Sequence, residues 1–284
     1  MPSAPLGAPL PVLYVVSTPI GNLEDITLRA LRILQEAGLI AAEDTRVTRR
    51  LLERHAISTP VTSYNEHNKY TKTARIVEEL VEKDVALVSD AGTPGVNDPG
   101  ADLVSAASEA GFPVVPVPGP SSITAAVSVS GIAGDGFVHM GFLPRRGGDR
   151  KRALGAVMES KGPIVLLEAP HRLIDSLEDL LEVLGDRNVV VCRELTKLHE
   201  EIFRGSVSAA HEYFREPRGE FCLVVEGAGN SLGTTSRPES TAIPLLEELR
   251  ARGARAKDSV ALVAAATGLP KKRVYELWVL RTLS

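Results

Sequence analysis

Residues 89–94, Ser-Asp-Ala-Gly-Thr-Pro, have the composition of a ligand-binding loop at the end of a β-strand. They directly follow the apolar run 85–88, Val-Ala-Leu-Val, which predicts a buried parallel strand. Gly92 lets the backbone approach a ligand closely, Pro94 stiffens the loop, and Asp90 supplies a hydrogen-bond acceptor. Ligands of open α/β sheets bind at the carboxyl ends of the strands, so this segment predicts a binding site.

Two further loops of this kind follow strand-like runs in the first half of the chain. They are residues 17–22, Ser-Thr-Pro-Ile-Gly-Asn, and residues 118–122, Pro-Gly-Pro-Ser-Ser. All three loops are predicted at one edge of a parallel sheet, where backbone amides and small hydroxyls can surround a nucleotide-like ligand. None matches a G-x-G-x-x-G or P-loop motif, which disfavours a standard dinucleotide or triphosphate site. Because glycine and proline occur in the turns of every α/β fold, a purely structural role is the alternative.

Residues 43–46, Glu-Asp-Thr-Arg, carry charge at the point where a short strand is followed by a helix. We predict that Thr45 caps this helix and that Arg46 and Arg49 share one of its faces. A carboxylate at this strand edge, such as that of Asp44, can orient or deprotonate an acceptor hydroxyl. The alternative is a capped surface helix with solvated charges.

Basic segments in several parts of the chain are candidates for contact with a phosphate backbone. Residues 145–152 hold Arg and Lys around Gly-Gly, which suits a mobile loop that clamps RNA. Residues 268–273, Gly-Leu-Pro-Lys-Lys-Arg, resemble the turn before the recognition helix of a helix-turn-helix. Solvated faces, exposed loops and structural ion pairs are the alternatives. The candidate RNA-binding residues are Arg49, His67, Arg145, Arg146, Lys151, His171, Arg172, Arg193, Lys271, Lys272 and Arg273.

The composition limits these interpretations. Hydrophobic residues make up 44% of the 284 residues and the formal net charge is −4, so an RNA contact requires a local basic patch. Cys192 and Cys222 lie in apolar runs without C-x-x-C spacing, which predicts buried thiols and no metal site. The chain opens without a signal-peptide pattern and has no apolar run that spans a bilayer, so we predict a cytoplasmic protein without membrane contact.

Alternating strand-like and helix-like segments predict an α/β fold with two domains. We predict a disordered tail at residues 1–11, an N-terminal α/β domain at 12–131 and a second α/β domain at 132–228. Residues 229–238, in a stretch rich in Gly, Ser and Thr, are predicted to form a linker. Residues 239–284 are predicted to form a small three-helix appendage of helix-turn-helix type that binds RNA.

These motifs together resemble the ribosomal RNA small-subunit methyltransferase I group of the tetrapyrrole methylase superfamily. The resemblance extends over residues 13–226 and continues more weakly into the C-terminal helices. It is carried by the strings VSTPIGNL, AAEDTR, LVSDAGTP, NDPG, GFLP and RELTK, which begin at residues 16, 41, 87, 97, 141 and 193.

The resemblance implies a homodimeric enzyme with the two-domain class III methyltransferase fold, which binds S-adenosylmethionine in the cleft between its domains. It implies methylation of the ribose 2′-hydroxyl of a cytidine in the decoding region of 16S rRNA, as free rRNA or in the assembled 30S subunit. No metal or redox cofactor is implied. The positions that match the cofactor contacts of the family are Pro19, Asp90, Ala91, Gly92, Thr93, Val96, Ser121 and Ser122, with Leu167, Leu195 and Cys222 from the second domain.

The implied reaction is an in-line displacement in which the ribose oxygen attacks the sulfonium methyl, and alignment in a dry cleft lowers its barrier. Because a ribose hydroxyl does not ionise freely near neutral pH, we predict help from Asp44 as proton acceptor, or from Arg46 or Lys197 as stabilising cations. The chain has Val47 where many relatives have histidine and Ala169 where a small hydroxyl is common. These departures argue against an essential base at either position.

Two other functions remain open at this level. A methyltransferase of a tetrapyrrole precursor would use the same cofactor cleft, although a small macrocycle needs no long cationic track. A non-catalytic RNA-binding protein could keep the fold without transferring a methyl group. Binding of S-adenosylmethionine and transfer of its methyl group to rRNA or to a porphyrinogen separate these functions.

Overall fold

The computed structural model describes residues 10–228, 238–267 and 269–280. The contacts of the chain divide it between Ala228 and Gly229 into two compact units. Nearly all of the predicted tail and of the predicted linker lies outside the described residues.

The first sheet contains five short strands, β1 (Leu13–Val16), β2 (Leu39–Ala42), β3 (Val61–Ser63), β4 (Val85–Val88) and β5 (Val114–Val117). All its pairings are parallel, in the order β3-β2-β4-β1-β5. Every residue of β4 is buried. This confirms the predicted buried parallel strand, because a strand covered on both faces is apolar throughout.

Four helices cover the faces of this sheet, α1 (Leu28–Glu36), α2 (Thr45–Arg54), α3 (Lys69–Glu79) and α4 (Ala101–Glu109). Ile33 of α1 and Leu52 of α2 are buried in one hydrophobic cluster. Ile76 of α3 and Leu103 of α4 are buried in a second cluster. Each helix therefore buries one apolar stripe against the strands.

The N-terminus of α2 differs from the prediction. Thr45 is the first helical residue, and the residue that caps the helix is Asp44, whose side chain accepts a hydrogen bond from the backbone N–H of Arg46. The prediction that Thr45 is the cap is wrong, because the extended backbone that a cap requires occurs one residue earlier.

The second sheet contains β6 (Val138–Phe142), β7 (Ile164–Glu168), β8 (Asn188–Arg193), β9 (Glu201–Ser206) and β10 (Phe221–Val225). The strand order is β6-β7-β10-β8-β9; β6 and β7 are parallel and the other pairs are antiparallel. One face packs against three helices, α6 (Gly147–Ala156), α7 (Leu173–Leu184) and α8 (Val207–Tyr213). The sequence analysis missed β9 and α8, whose segments mix polar and apolar residues without a clear period.

The other face of the second sheet packs against α5 (Ser122–Ser130), the helix that follows β5. Ile123 and Ala126 of this helix share a buried cluster with Cys192 of β8 and Cys222 of β10. Both cysteines are free and buried, which confirms the predicted buried thiols. Burial raises the pKa of the Cys192 thiol to about 11 and that of Cys222 to about 12. In the part of the chain that the structure describes, no group of His, Cys, Asp and Glu could hold a metal ion.

The basic segment at residues 145–152 is not a mobile loop, and that prediction is wrong. Gly147 and Gly148 are the first residues of α6. Arg150 is buried, and its guanidinium pairs with the buried carboxylate of Asp179 on α7. A buried cation requires a buried partner, so Arg150 anchors α6 to α7 rather than binding RNA.

The described residues of the C-terminal unit form three helices, α9 (Pro238–Ala251), α10 (Ala256–Thr267) and α11 (Lys271–Leu280). Leu246, Val263 and Leu277 belong to its hydrophobic core, against which Trp278 packs. The guanidinium carbon of Arg250 lies 4.5 Å from the Trp278 ring centre. Leu277 and Trp278 therefore pack this bundle. Among the described residues, no helix is long and apolar enough to cross a membrane.

Candidate active site

A cavity of about 550 Å³ lies between the first and second sheets of the N-terminal unit. The loops after β1, β2 and β4 and the start of α5 line one wall, and the ends of β6, β7, β8 and β10 contribute to the other. The structure brings together all of the predicted cofactor-binding residues except Pro19. The residues at this cavity are Asp90, Ala91, Gly92, Thr93, Val96, Ser121, Ser122, Leu167, Leu195 and Cys222.

Hydrogen bonds join the loop after β1 to the loop after β4. The backbones of Thr18 and Gly92 exchange two hydrogen bonds, with N···O distances of 2.9 and 3.0 Å. The hydroxyls of Ser17 and Thr93 are 2.8 Å apart, and the Thr18 hydroxyl donates to the carbonyl of Ser89. Gly92 has a φ of +81°, a left-handed conformation that favours glycine. The glycine in the motif is therefore required by the turn that places the loop at the cavity.

The close approach of two loops explains why residue 21, within the first motif, is glycine. A Cβ atom at Gly21 would lie 2.5 Å from Cγ of Lys197 and 3.0 Å from the carbonyl oxygen of Leu195. The loop after β1 therefore packs directly against the loop after β8. Glu194 and Thr196 in that second loop have positive φ angles of 51° and 67°, so its path is also tightly constrained.

Carboxylates dominate the charge of the first-sheet wall. The backbone N–H of Asp90 donates to Glu43 Oε2 at 3.2 Å, and the backbone N–H of Asp44 donates to Asp90 Oδ1 at 2.9 Å. Burial raises the pKa values of Glu43 and Asp90. Burial, together with the nearby charge of Glu43, raises the pKa of Asp98 to about 6. Glu43, Asp90 and Asp98 all line the cavity, so it concentrates negative charge.

The second wall adds acidic groups but no strong base. Glu168 and Glu220 line the cavity, and His171 is exposed at its edge. Among the described lining residues there is no lysine or arginine. Sites that hold phosphate groups use cations to balance their charge, whereas a positively charged ligand is stabilised by carboxylates. The donor set therefore fits a cationic ligand better than a nucleoside polyphosphate.

The predicted catalytic residues lie outside the cavity wall. Asp44 and Arg46 form an ion pair with a separation of 2.6 Å, and the Arg46 guanidinium holds the pKa of the Asp44 carboxyl far below its usual range. Lys197 Nζ donates to Glu194 Oε1 at 2.9 Å and to Glu220 Oε2 at 3.0 Å. Lys197 is thereby linked to the cavity through Glu220, which lines it.

The candidate RNA-binding residues fall into two classes. Arg49, His67, Arg145 and Arg146 are exposed in the N-terminal unit, as are Lys271, Lys272 and Arg273 at the start of α11 in the C-terminal unit. Arg273 also pairs with Glu276 at 2.9 Å, and His171 is exposed at the edge of the cavity. The remaining basic side chains contact protein groups. Lys151 pairs with Glu182, Arg193 with Glu201, and Arg172 both with Glu168 and with the carbonyls of Leu143 and Pro144.

Comparison with known proteins identifies the family. The family model of the tetrapyrrole (corrin/porphyrin) methylases matches residues 12–211, and that of the RsmI C-terminal HTH domain matches residues 238–279. The ribosomal RNA small subunit methyltransferase I of Halalkalibacterium halodurans is 44% identical over 271 residues, which cover 94% of both chains. That of Synechocystis sp. is also 44% identical, over 94% of this chain and 96% of its own.

This chain belongs to the ribosomal RNA small subunit methyltransferase I family, within the tetrapyrrole methylases. The resemblance found in the sequence is thereby confirmed, and the chain is a methyltransferase.

Solved structures confirm the predicted fold class. The methyltransferase CobJ aligns with a TM-score of 0.59 at 20% identity, over 77% of this chain and 95% of its own. The uroporphyrin-III C-methyl transferase from Thermus thermophilus, complexed with S-adenyl homocysteine, aligns with a TM-score of 0.55 at 21% identity, over 76% and 97% of the two chains. Identities this low establish the two-domain tetrapyrrole-methylase fold of the N-terminal unit and nothing more specific.

Several cavity residues were not selected from the sequence. Glu43 and Asp98 stand inside the quoted motifs, Glu43 directly before Asp44, and their position at strand or loop ends was an available signal. Glu168 is 2% exposed at the end of β7, where it accepts hydrogen bonds from the Ser176 hydroxyl and the Ala169 backbone. Phe142 stands inside the string GFLP, whereas Glu220 carries no local signal, because only the packing of the two sheets brings it to the cavity.

Proposed function

We propose that this chain methylates the ribose 2′-hydroxyl of a cytidine in the decoding region of small-subunit rRNA, with S-adenosylmethionine as methyl donor. The observation that carries the proposal is the carboxylate-lined cavity without lysine or arginine among its described lining residues, in a chain 44% identical to a ribosomal RNA small subunit methyltransferase I over 94% of its length.

The size and charge of the cavity support S-adenosylmethionine as the ligand. A volume of about 550 Å³ lies within the usual range for small-molecule sites. When bound, this donor supplies a methyl group activated by a sulfonium cation. Asp90 and Asp98 place negative charge in the cavity, and Leu167, Leu195 and Cys222 offer apolar surface for the rest of the molecule. We therefore retain the predicted cofactor set, with Pro19 assigned a place beside the cavity rather than on its lining.

The acceptor hydroxyl requires a group that takes up its proton. A carboxylate with a raised pKa is a stronger base than one held by an arginine. We therefore propose Glu43, whose pKa burial raises and which lines the cavity, as a candidate acceptor beside Asp44. In this proposal Asp44 and Arg46 act as an ion pair at the edge of the site, and Lys197 stabilises charge through Glu220.

RNA contact is assigned to the exposed basic residues of both units. Arg49, Arg145 and Arg146 of the N-terminal unit are exposed and form no ion pair with the described residues, which suits phosphate contacts. The family match of residues 238–279 supports the same role for Lys271 and Lys272 at the start of α11. We further propose that the working enzyme is a homodimer, which a sedimentation measurement of its mass would test.

The decisive experiment uses small subunits from a strain that lacks this protein. Purified protein is incubated with these subunits and labelled S-adenosylmethionine, and the modified nucleotide is mapped. We expect label on one ribose 2′-oxygen of a cytidine. Label on a porphyrinogen but not on rRNA would support methylation of a tetrapyrrole precursor instead. Binding of RNA without any transfer would support the non-catalytic alternative, and free rRNA as a parallel substrate distinguishes it from the assembled subunit.

A further inference from the structure

Asn97 connects the two walls of the cavity. It lies in the loop after β4, between Val96 and Asp98, and it also lines the cavity. Its Nδ2 atom is 2.6 Å from Nε2 of His139, a residue of β6 that is 42 positions away in the sequence. The contact therefore joins a loop of the first sheet directly to a strand of the second.

The backbone near both ends of this contact departs from regular strand or loop geometry. Asn97 has a φ of +64°, in the left-handed region that non-glycine residues rarely occupy. On the other side, the pairing register of β6 on β7 shifts between His139 and Gly141, which marks a bulge. Gly141 itself has a φ of +62°. Glycine adopts this conformation without steric cost and asparagine adopts it more readily than most residues, and bulges of this kind often lie next to functional sites.

Steric fit accounts for the glycine at position 141. A Cβ atom there would overlap Oδ1 of Asn97 and lie 2.9 Å from its Cγ. The Asn97 amide therefore fills the space that a side chain at position 141 would occupy. With Nδ2 toward His139 and Oδ1 against Gly141, both ends of the amide engage the bulge of β6.

We propose that Asn97 is a positioning residue for the methyl donor, because its amide sets the separation between the loop that carries Asp98 and the strand that ends at Phe142. Asp98 and Phe142 face the cavity from opposite walls. Releasing the amide would let the walls move apart without removing any group of the cavity apart from Asn97 itself. The inference rests on the proposed function, since it concerns the binding of S-adenosylmethionine.

The first test is the Asn97→Gly variant, which keeps the left-handed backbone accessible while it removes the amide. We expect the Kd and the KM for S-adenosylmethionine to rise about tenfold, within the usual range for coupled contacts. The kcat at saturating donor is expected to stay within about twofold, because correctly bound substrate still reacts in the same geometry. Loss of kcat with unchanged KM, or donor affinity equal to that of the wild-type chain, would overturn the proposal.

The second test combines this variant with Gly141→Ala. In the wild-type chain the new methyl group collides with Asn97, whereas in the Asn97→Gly chain it has room. We therefore expect Gly141→Ala to weaken donor binding more in the wild-type background than in the Asn97→Gly background. Gly131→Ala is the matched control, because Gly131 has a similar φ of +68° but no atom within 4 Å of the added Cβ.

The Gly131→Ala control measures the effect of placing alanine in a left-handed backbone conformation, separately from the effect of the steric overlap with Asn97. Equal effects of Gly141→Ala in both backgrounds would overturn the inference while leaving the proposed function intact. A wild-type chain that binds no S-adenosylmethionine in calorimetry would instead overturn the proposed function, and the inference with it.

Discussion

At the residue scale, the surroundings of each carboxylate separate groups that look alike in the sequence. Asp44 is held ionised by Arg46, whereas burial raises the pKa values of Glu43, Asp90 and Asp98. The last three line the cavity and Asp44 does not. The negative charge that a sulfonium ligand would meet is therefore carried by groups whose charge costs free energy in the folded chain.

The first residue-scale prediction concerns Asp90. In the Asp90→Ala variant the loop after β4 loses the acceptor for the Asp44 backbone N–H, and the cavity loses a carboxylate. We expect the Kd for S-adenosylmethionine, measured by calorimetry, to rise by about ten- to a hundredfold, as for loss of a hydrogen bond to a charged group. Asp135→Ala, at an exposed position outside the cavity, is the control. Unchanged affinity in Asp90→Ala would remove Asp90 from the site.

The second residue-scale prediction concerns the pH dependence of stability. The pKa of Asp98 is raised from 3.8 to about 6 in the folded chain. Between these values the folded chain binds more protons than the unfolded chain, so stability falls as pH rises through this window and stays lower above it.

The Asp98→Asn variant removes this effect. We expect its free energy of unfolding at pH 8 to exceed that of the wild-type chain by roughly 1 kcal/mol, after allowance for solvent screening. Near pH 3.5 most of the gain should disappear, because Asp98 is then protonated in the folded chain and mostly protonated in the unfolded chain. Urea denaturation at the two pH values, with Asp135→Asn as control, measures the difference. A gain that persists unchanged at the lower pH would contradict the assignment.

At the element scale, α5 belongs to the first half of the chain but packs on the second sheet. Its composition of small residues suits this position, because Ile123 and Ala126 lie against strands that carry Cys192 and Cys222. The same helix begins at Ser122, which lines the cavity. Packing on one part of α5 therefore fixes the position of the cavity residues at its start.

A larger side chain at position 126 tests whether the packing of α5 on the second sheet controls the cavity. Ala126 is fully buried, so Ala126→Leu is expected to lower the free energy of unfolding by about 1–3 kcal/mol. We also expect weaker binding of S-adenosylmethionine, because the start of α5 must shift. Ser128→Leu, on the exposed face of the same helix, is the control and should change both quantities little. Denaturation and calorimetry on the two variants provide the comparison; equal stability of both would show that α5 is not tightly packed there.

At the scale of the whole molecule, acidic and basic groups occupy different places. The cavity lining contains carboxylates, whereas several arginines and lysines are exposed elsewhere in a chain of net charge −4. The chain is also divided into two compact units, and the second unit, with its exposed Lys271 and Lys272, contains none of the cavity residues. Donor binding and RNA binding are therefore expected to be separable.

Removal of residues 238–284 tests this separation. We expect the truncated chain to bind S-adenosylmethionine with a Kd within about twofold of the full chain, because the cavity and its supporting cores lie before residue 229. Its affinity for small subunits should fall, with a weaker dependence on salt, since each lost phosphate contact lowers the salt slope. Filter binding at several salt concentrations measures this. Undiminished methylation of subunits by the truncated chain would count against a role of the helices in RNA binding.

The local sequence was sufficient to predict those elements and loops whose conformation depends mainly on neighbouring residues. The sequence pattern predicts strands at residues 39–42, 85–88, 114–117 and 164–168 and helices at residues 173–184 and 271–280. The elements β2, β4, β5, β7, α7 and α11 have these bounds, because uninterrupted apolar runs and regular helical periods need no distant partner to be recognised. The glycine-bearing loops after β1, β4 and β5 were likewise predicted at one sheet edge, and their residues meet at one cavity.

Only the tertiary structure decided which charged groups are free and which cavity groups face one another. Arg150 looked like a surface cation in the sequence, yet Asp179 on another helix holds it in the interior. The contact of Asn97 with His139, and the raised pKa of Asp98, depend on the packing of two sheets against each other. The sequence by itself determined most of the strands, the glycine-bearing loops and the family. Burial and long-range pairing, which set the pKa values of the cavity groups and decide which cations are exposed, arise only when distant segments pack together.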